Sequence, residues 1–187
     1  MDLRIRKTYK ALREACTKLL SERRYEEMSV ALLCQEAMIR RTTFYKHFSD
    51  KEDFFQFYIK SLRDEMVQEG RREVEERGEK DSFEAERAVI LRRLADYLLS
   101  HQPLIDNIFR SSMSGMMLMV VCENIAQALK ERMVIEREVD PSLDSRVEFA
   151  AGGMVRLMLM WWKTEERETS VASFVRCAND LAGKVLE

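Results

Sequence analysis

Between residues 40 and 51 the chain gathers side chains that suit one task, contact with a nucleic-acid duplex. Arg40, Arg41 and Lys46 are cationic donors able to reach guanine edges, and Thr42 and Thr43 can meet a thymine methyl. Tyr45 can contact phosphate, and Lys51 completes the basic set. His47 follows, where it either touches phosphate or closes the helix. Phe44 and Phe48 stand four residues apart in the same stretch and must turn inward. A short helix over about 40–47 would separate the two sets. The run before it supplies the brace: Ser29 suits an N-cap, and Val30, Leu33, Ala37 and Ile39 make an apolar side. Residues 36–39 are then the turn. One helix bracing against the duplex backbone while the next lies in the major groove is the helix-turn-helix arrangement.

The run IRRTTFYKHFSDK, 39–51, resembles the recognition helix and following cap of TetR/AcrR-type transcriptional regulators. The match falls on Ile39, Thr43, Phe44, Tyr45, Phe48 and Lys51. Upstream, KTYKALREACTKLLSERRYEEMSV resembles that family's first helix and its aromatic turn, here at Tyr25. The resemblance covers roughly the first sixty residues. Two positions depart from the pattern: Met38 stands where the family usually has a turn glycine, and Arg40 where it often has a capping serine. A methionine at positive φ costs about 1–2 kcal/mol, so a turn of somewhat different shape is expected. The resemblance implies an N-terminal DNA-binding head, a helical body that commonly binds small effectors, and dimerisation through the last two helices.

Composition agrees with a basic head on an acidic body. The 187 residues carry a formal net charge of −2, yet residues 1–51 hold 12 Lys and Arg against 7 Asp and Glu. The remainder holds 19 against 26, an asymmetry suited to a chain that meets polyanionic DNA at one end. Hydrophobic residues make up 46 %, with only 6 glycines and 2 prolines, so an all-α chain of long helices is the economical reading.

Helix signals recur along the chain. Tyr9, Leu12, Cys16 and Leu19 mark a first helix over about 6–22, preceded by an arm with Arg4 and Arg6. Asp50 caps a fourth helix through Phe54, Phe57, Tyr58, Leu62 and Met66, which fades into the charged run 71–81 around Gly78. Ser82 caps the next, Pro103 opens a short one, and Gly115 precedes another. A linker at 139–145 leads into the last pair. The expected division is 1–51 for DNA binding and 52–187 for effector sensing and dimerisation.

No enzyme signature emerges. There is no glycine-rich phosphate loop, no nucleophile–base pair, and only two histidines, His47 and His101. Cys16, Cys34, Cys122 and Cys177 lie far apart, so neither a metal site nor a disulfide framework is expected. No cofactor is implied. The opening residues do not read as a leader and no apolar run reaches membrane length, which places the expected protein in the cytoplasm, off the membrane.

Eight of the 12 methionines fall between Met113 and Met160. Methionine fills irregular cores and lines adaptable pockets. Two readings stand: a soft helical core, or an apolar effector cavity with Met113, Met117, Met154 and Met158 as walls and Asn107, Arg110 or Arg156 as polar anchors. Two narrow seams close the chain. Ala150, Met154, Leu157 and Trp161 share one stripe of the penultimate helix, and Phe174, Ala178 and Leu181 one stripe of the last. The two helices look like partners in a bundle, with Gly152 and Gly153 permitting their close approach, and the resemblance makes these seams the expected homodimer interface. The functional expectation is a repressor of double-stranded operator DNA released by a small apolar molecule. The alternative is a helical adaptor or co-regulator whose body binds another protein.

Overall fold

Three helix starts show capping side chains at work. The Ser29 hydroxyl accepts from the Leu32 amide at 3.2 Å, and that of Ser82 from Ala85 at 3.1 Å. At the third, Asp50 accepts from the Asp53 amide at 2.8 Å while Asp53 accepts from Ser49 at 2.8 Å. Each satisfies amides that a helix start leaves without partners. The computed structural model describes residues 3–79, 82–134 and 141–186. Among these the chain is all helical: α1 (Leu3–Glu22), a 3₁₀ turn at Tyr25–Glu27, α2 (Val30–Glu36), α3 (Arg41–Phe44) and α4 (Lys51–Glu76). There follow α5 (Phe83–Ser100), α6 (Gln102–Arg110), α7 (Ser114–Val134), α8 (Leu143–Trp162) and α9 (Val171–Leu186). The final two residues of the charged run 71–81, and Val139 and Asp140 of the expected linker, lie outside the described residues. No single helix among those described is long and apolar enough to cross a membrane.

The chain divides into two compact units, Met1–Ile59 with Ser100–Met117, and Lys60–Leu99 with Leu118–Glu187. In the first, rings fill the space behind the helix-turn-helix. Phe48 lies 5.4, 5.2 and 5.1 Å from the ring centres of Phe44, Phe54 and Phe57, within the range of favourable aromatic contact. Helix α6 lies against α1. The Asn107 amide donates to the Leu20 carbonyl at 2.9 Å. At the far end of α6, Glu26 accepts from the Ser111 hydroxyl at 2.5 Å and from the Ser112 amide at 3.2 Å. The Ser111 hydrogen bond is the chief reason that the Glu26 carboxyl titrates at about 2. A depressed carboxyl pKa stabilises the fold above its ordinary value, and that contribution fades as pH falls towards 2. The clasp is therefore complete at neutral pH. Its release should appear only on strong acidification, followed through the carboxyl resonance of Glu26.

The second unit is held by an apolar pair and by buried ions. Helices α8 and α9 pack along Val147, Ala150, Met154, Trp161, Phe174 and Ala178, all buried. Trp161 stacks on Phe174 at 4.7 Å and donates its indole N–H to Arg167 O and Ser170 Oγ, both at 3.1 Å. Helix α5 contributes two consecutive buried charges. Glu86 takes Arg71 Nε of α4 at 2.8 Å and Arg132 Nε of α7 at 2.9 Å. Arg87 donates to Asn179 of α9, to its side-chain oxygen at 2.7 Å and its carbonyl at 3.1 Å.

Where α4 passes α5, Gly70 is buried, and a Cβ there would stand 2.8 Å from Ile90 Cγ1. The absent side chain sets how near the two helices come. Gly70→Ala gains helix propensity but must displace Ile90, so a net loss of about 1–3 kcal/mol is expected in urea unfolding. A variant as stable as the parent would show that this crossing yields freely.

Candidate nucleic-acid interface

The helix-turn-helix is built from a short brace and a shorter reading helix. Helix α2 ends with the Ala37 amide bonded to the Leu33 carbonyl at 2.9 Å; the chain then turns through Met38 to Arg40, the residue that precedes α3. Helix α3 spans Arg41–Phe44 rather than the expected 40–47. Beyond it Phe44 O accepts from both His47 and Phe48 amides, at 2.9 and 3.0 Å. Such shared bonding is the tightening common in a final helical turn.

Burial of Phe44 and Phe48 fixes which way this segment faces. Arg40, Arg41, Thr42, Tyr45 and Lys46 are all exposed. Arg40 makes no side-chain cap, so its guanidinium is not spent on α3. Thr43 is half-buried. His47 is also half-buried, with Nδ1 3.4 Å from the Tyr9 hydroxyl and the two rings edge to face at 5.3 Å. Lys51 has an internal task that its sequence position conceals: it donates to the Tyr25 carbonyl at 3.0 Å, and its ammonium sits 4.1 Å from the Tyr25 ring centre. This strut ties the start of α4 to the 3₁₀ turn. The arm expected at 2–6 is helical from Leu3, so Arg4 and Arg6 stand exposed in the first turns of α1.

Met38 stands in this turn, where the resembled family usually has glycine. Its φ is 52°, the only positive value at a non-glycine among the described residues.

The residues expected around an effector fall in different units. Asn107, Arg110, Met113 and Met117 belong to the first, and Met154 and Met158 to the second. Asn107 is engaged with Leu20, Arg110 is exposed, Met113 half-buried, and Met117, Met154 and Met158 buried. A recess of about 390 Å³ in the second unit is walled by Gly78, Glu79, Ser82, Glu84, Ala85, Ala88 and Asn179, none of them from that set. No group of three or more metal-ligating side chains occurs among the described residues.

The expected interface residues divide as well. Ala150, Met154, Trp161, Phe174 and Ala178 are buried in the single chain, Leu157 is half-buried, and Leu181 is 47 % exposed. Gly152 and Gly153 do not serve the α8–α9 packing as expected, because both are exposed and nothing lies within 4 Å of an added Cβ. The outward side of α8 carries Phe149, 73 % exposed, and Met160, 52 % exposed.

Residues 12–56 match the family described as bacterial regulatory proteins, tetR family. By sequence, no curated protein matches the chain. Among solved structures, a TetR transcriptional regulator from Rhodococcus sp. RHA1 aligns with a TM-score of 0.63 at 17 % identity, covering 96 % of this chain and 97 % of its own. Thermus thermophilus FadR, a TetR-family transcriptional repressor in complex with lauroyl-CoA, aligns at 0.59 and 18 %, covering 96 % and 95 %. The TetR family repressor AlkX from Dietzia sp. strain DQ12-45-1b, implicated in biodegradation of n-alkanes, aligns at 0.56 and 17 %, covering 95 % and 98 %. At these identities the likeness is one of fold.

Proposed function

We propose that this chain, whose residues 12–56 match the tetR family of bacterial regulatory proteins, is a TetR-type regulator that acts as a homodimeric repressor of double-stranded operator DNA, released by a small apolar effector. The observation that carries the DNA reading is the exposed set Arg40, Arg41, Thr42, Tyr45 and Lys46 above a buried phenylalanine wedge. Thr43, His47 and Lys51 stand at its margin. Lys51 does so chiefly by holding α4 in place. Two such heads must enter successive major grooves about 34–36 Å apart. An effector with higher affinity for a body arrangement of different head spacing would release the operator by that difference in affinity. Support for an apolar effector comes from the methionine-rich stretches and from FadR, whose structure holds lauroyl-CoA. Its candidate contacts are Asn107, Arg110, Met113 and Met117 in the first unit and, separately, Met154 and Met158 in the second. The adaptor alternative finds no support in these likenesses. Cytoplasmic location follows from work on operator DNA.

For the dimer, the outward side of α8 supports an interface along Phe149, Gly152, Gly153 and Met160, joined on α9 by Leu181. Of the seam first expected, only Leu157 and Leu181 retain surface for a partner; the rest of it serves the subunit's own core.

Selection of bound duplexes from random DNA by the full chain tests the reading. A palindromic site with half-sites one helical turn apart is the expected product, and failure to enrich any sequence would overturn it. On that site, Tyr45→Ala and Lys46→Ala should each weaken binding with helix content unchanged. Lys46→Ala should lower the slope of log affinity against log salt by about one unit. Undiminished affinity in both variants would remove α3 from the contact surface.

A further inference from the structure

Strain in a backbone is retained where something else offsets it, and among the described residues the exposed Met38 side chain finds no packing that does so. A non-glycine residue in the left-handed region costs energy through its Cβ, and here the turn itself would form equally well with glycine. Its hydrogen bonds, Met38 N–H to Gln35 O at 3.1 Å and Ile39 N–H to Cys34 O at 3.0 Å, use backbone alone. The thioether side chain earns no packing in return, being 92 % exposed. Among the described residues it is the most exposed of the large apolar side chains. The site therefore holds an unfavourable backbone and an unburied apolar group together, in the turn that delivers Arg40 and Arg41.

Its position limits what could bury it. A single residue, Ile39, separates Met38 from Arg40, a span of at most about 7 Å. A surface that meets Arg40 and Arg41 therefore comes within reach of a methionine side chain. We propose that Met38 is a DNA-contact residue, an apolar finger that packs on the duplex beside the recognition helix. The inference rests on the DNA-binding reading above. The occupant is DNA, because the neighbouring exposed side chains are Arg40, Arg41 and Thr42 and the head carries the excess of positive charge. Against such a surface an unbranched, polarizable thioether is well suited to irregular shape. The apolar groups a duplex presents there are thymine methyls in the groove and deoxyribose at its edge.

Three substitutions in the full-length protein separate contact from strain. Met38→Gly removes both, Met38→Asn removes strain but leaves a short polar group, and Met38→Ala keeps strain while removing the finger. A contact role predicts that all three bind the selected operator roughly tenfold more weakly, the loss expected for apolar burial forgone. Thermal midpoints should rise for glycine and asparagine but not for alanine. The salt slope should stay at the parent value, since no phosphate charge is involved. Uracil scanning of the operator then locates the contact. If one thymine methyl matters to the parent and not to Met38→Gly, the finger reads that base; if none does, it packs on sugar. Parent-like affinity in Met38→Gly and Met38→Ala overturns the inference while leaving the DNA-binding reading intact. That reading fails separately if the parent protein itself selects no operator.

Discussion

Glu86→Ala should cost the second unit about 3–5 kcal/mol, the range measured when one partner of a buried ion pair is deleted. Glu86 is 5 % exposed and holds guanidiniums from two other helices, Arg71 at 2.8 Å and Arg132 at 2.9 Å. The two bonds differ in weight. Arg71 retains 44 % of its side-chain exposure, so water already screens that pair and its loss matters little. Arg132 retains 12 % and lies over the Phe83 ring at 5.7 Å, so its charge would lose a carboxylate from surroundings poor in water. Urea unfolding should show a lower midpoint with an unchanged slope, the mark of altered stability rather than altered compactness. Glu86→Gln should recover part of the loss by keeping a hydrogen-bond acceptor. The double variant Glu86→Leu with Arg132→Met should recover more, because well-packed apolar replacements of buried pairs are often neutral or better. A loss below about 1 kcal/mol for Glu86→Ala would show that water reaches the pair and that it behaves as a surface ion pair.

This node was not legible in the sequence, and the reason is physical. Glu86 and Arg87 sit in a run, FEAERAVILRR, whose charges read as the solvated side of a helix. Their burial depends on partners 15, 46 and 92 residues away, at Arg71, Arg132 and Asn179. Local signals were legible wherever their cause is local. Ser29, Asp50 and Ser82 mark helix starts because the capping hydrogen bond spans three residues. Pro103 stands in the first turn of α6, where its missing amide costs nothing. Which side chains near α3 are exposed was legible for the same reason, since burial of Phe44 and Phe48 turns Arg41, Tyr45 and Lys46 outward. Lys51 shows the limit: it was expected among the DNA contacts, whereas its ammonium is held by Tyr25, 26 residues earlier. Periodicity found the apolar stripes of α8 and α9 but could not assign their partner. A stripe buried against its own subunit and one buried against a second copy have the same spacing. The wide side of α8 is buried, whereas its outward side holds Phe149 and Met160 among Glu148, Gly152, Gly153 and Arg156, too interrupted by polar and small residues to read as a stripe.

That outward side gives the prediction with the largest effect on function. Phe149→Glu combined with Met160→Glu should yield a folded monomer that binds the operator about 10²–10⁴-fold more weakly. Both side chains are exposed in the single chain, at 73 % and 52 %, so charging them should alter the subunit's own stability by no more than about 0.5 kcal/mol. In a two-fold dimer each change is made twice, and a patch that meets its own copy would take four carboxylates at once. Burying unpaired charge there costs several kcal/mol. Loss of the dimer removes the linkage between two half-site contacts, and with it the gain in avidity that linked sites provide. Phe174→Glu serves as the contrast. Phe174 stacks on Trp161 inside the subunit, so that change should unfold the second unit instead of merely parting the copies. Sedimentation velocity with circular dichroism distinguishes the cases: a helical monomer for the double variant, lost helix for Phe174→Glu. A double variant that sediments as a stable dimer places the contact between subunits on another surface and leaves Phe149 and Met160 as ordinary exposed residues.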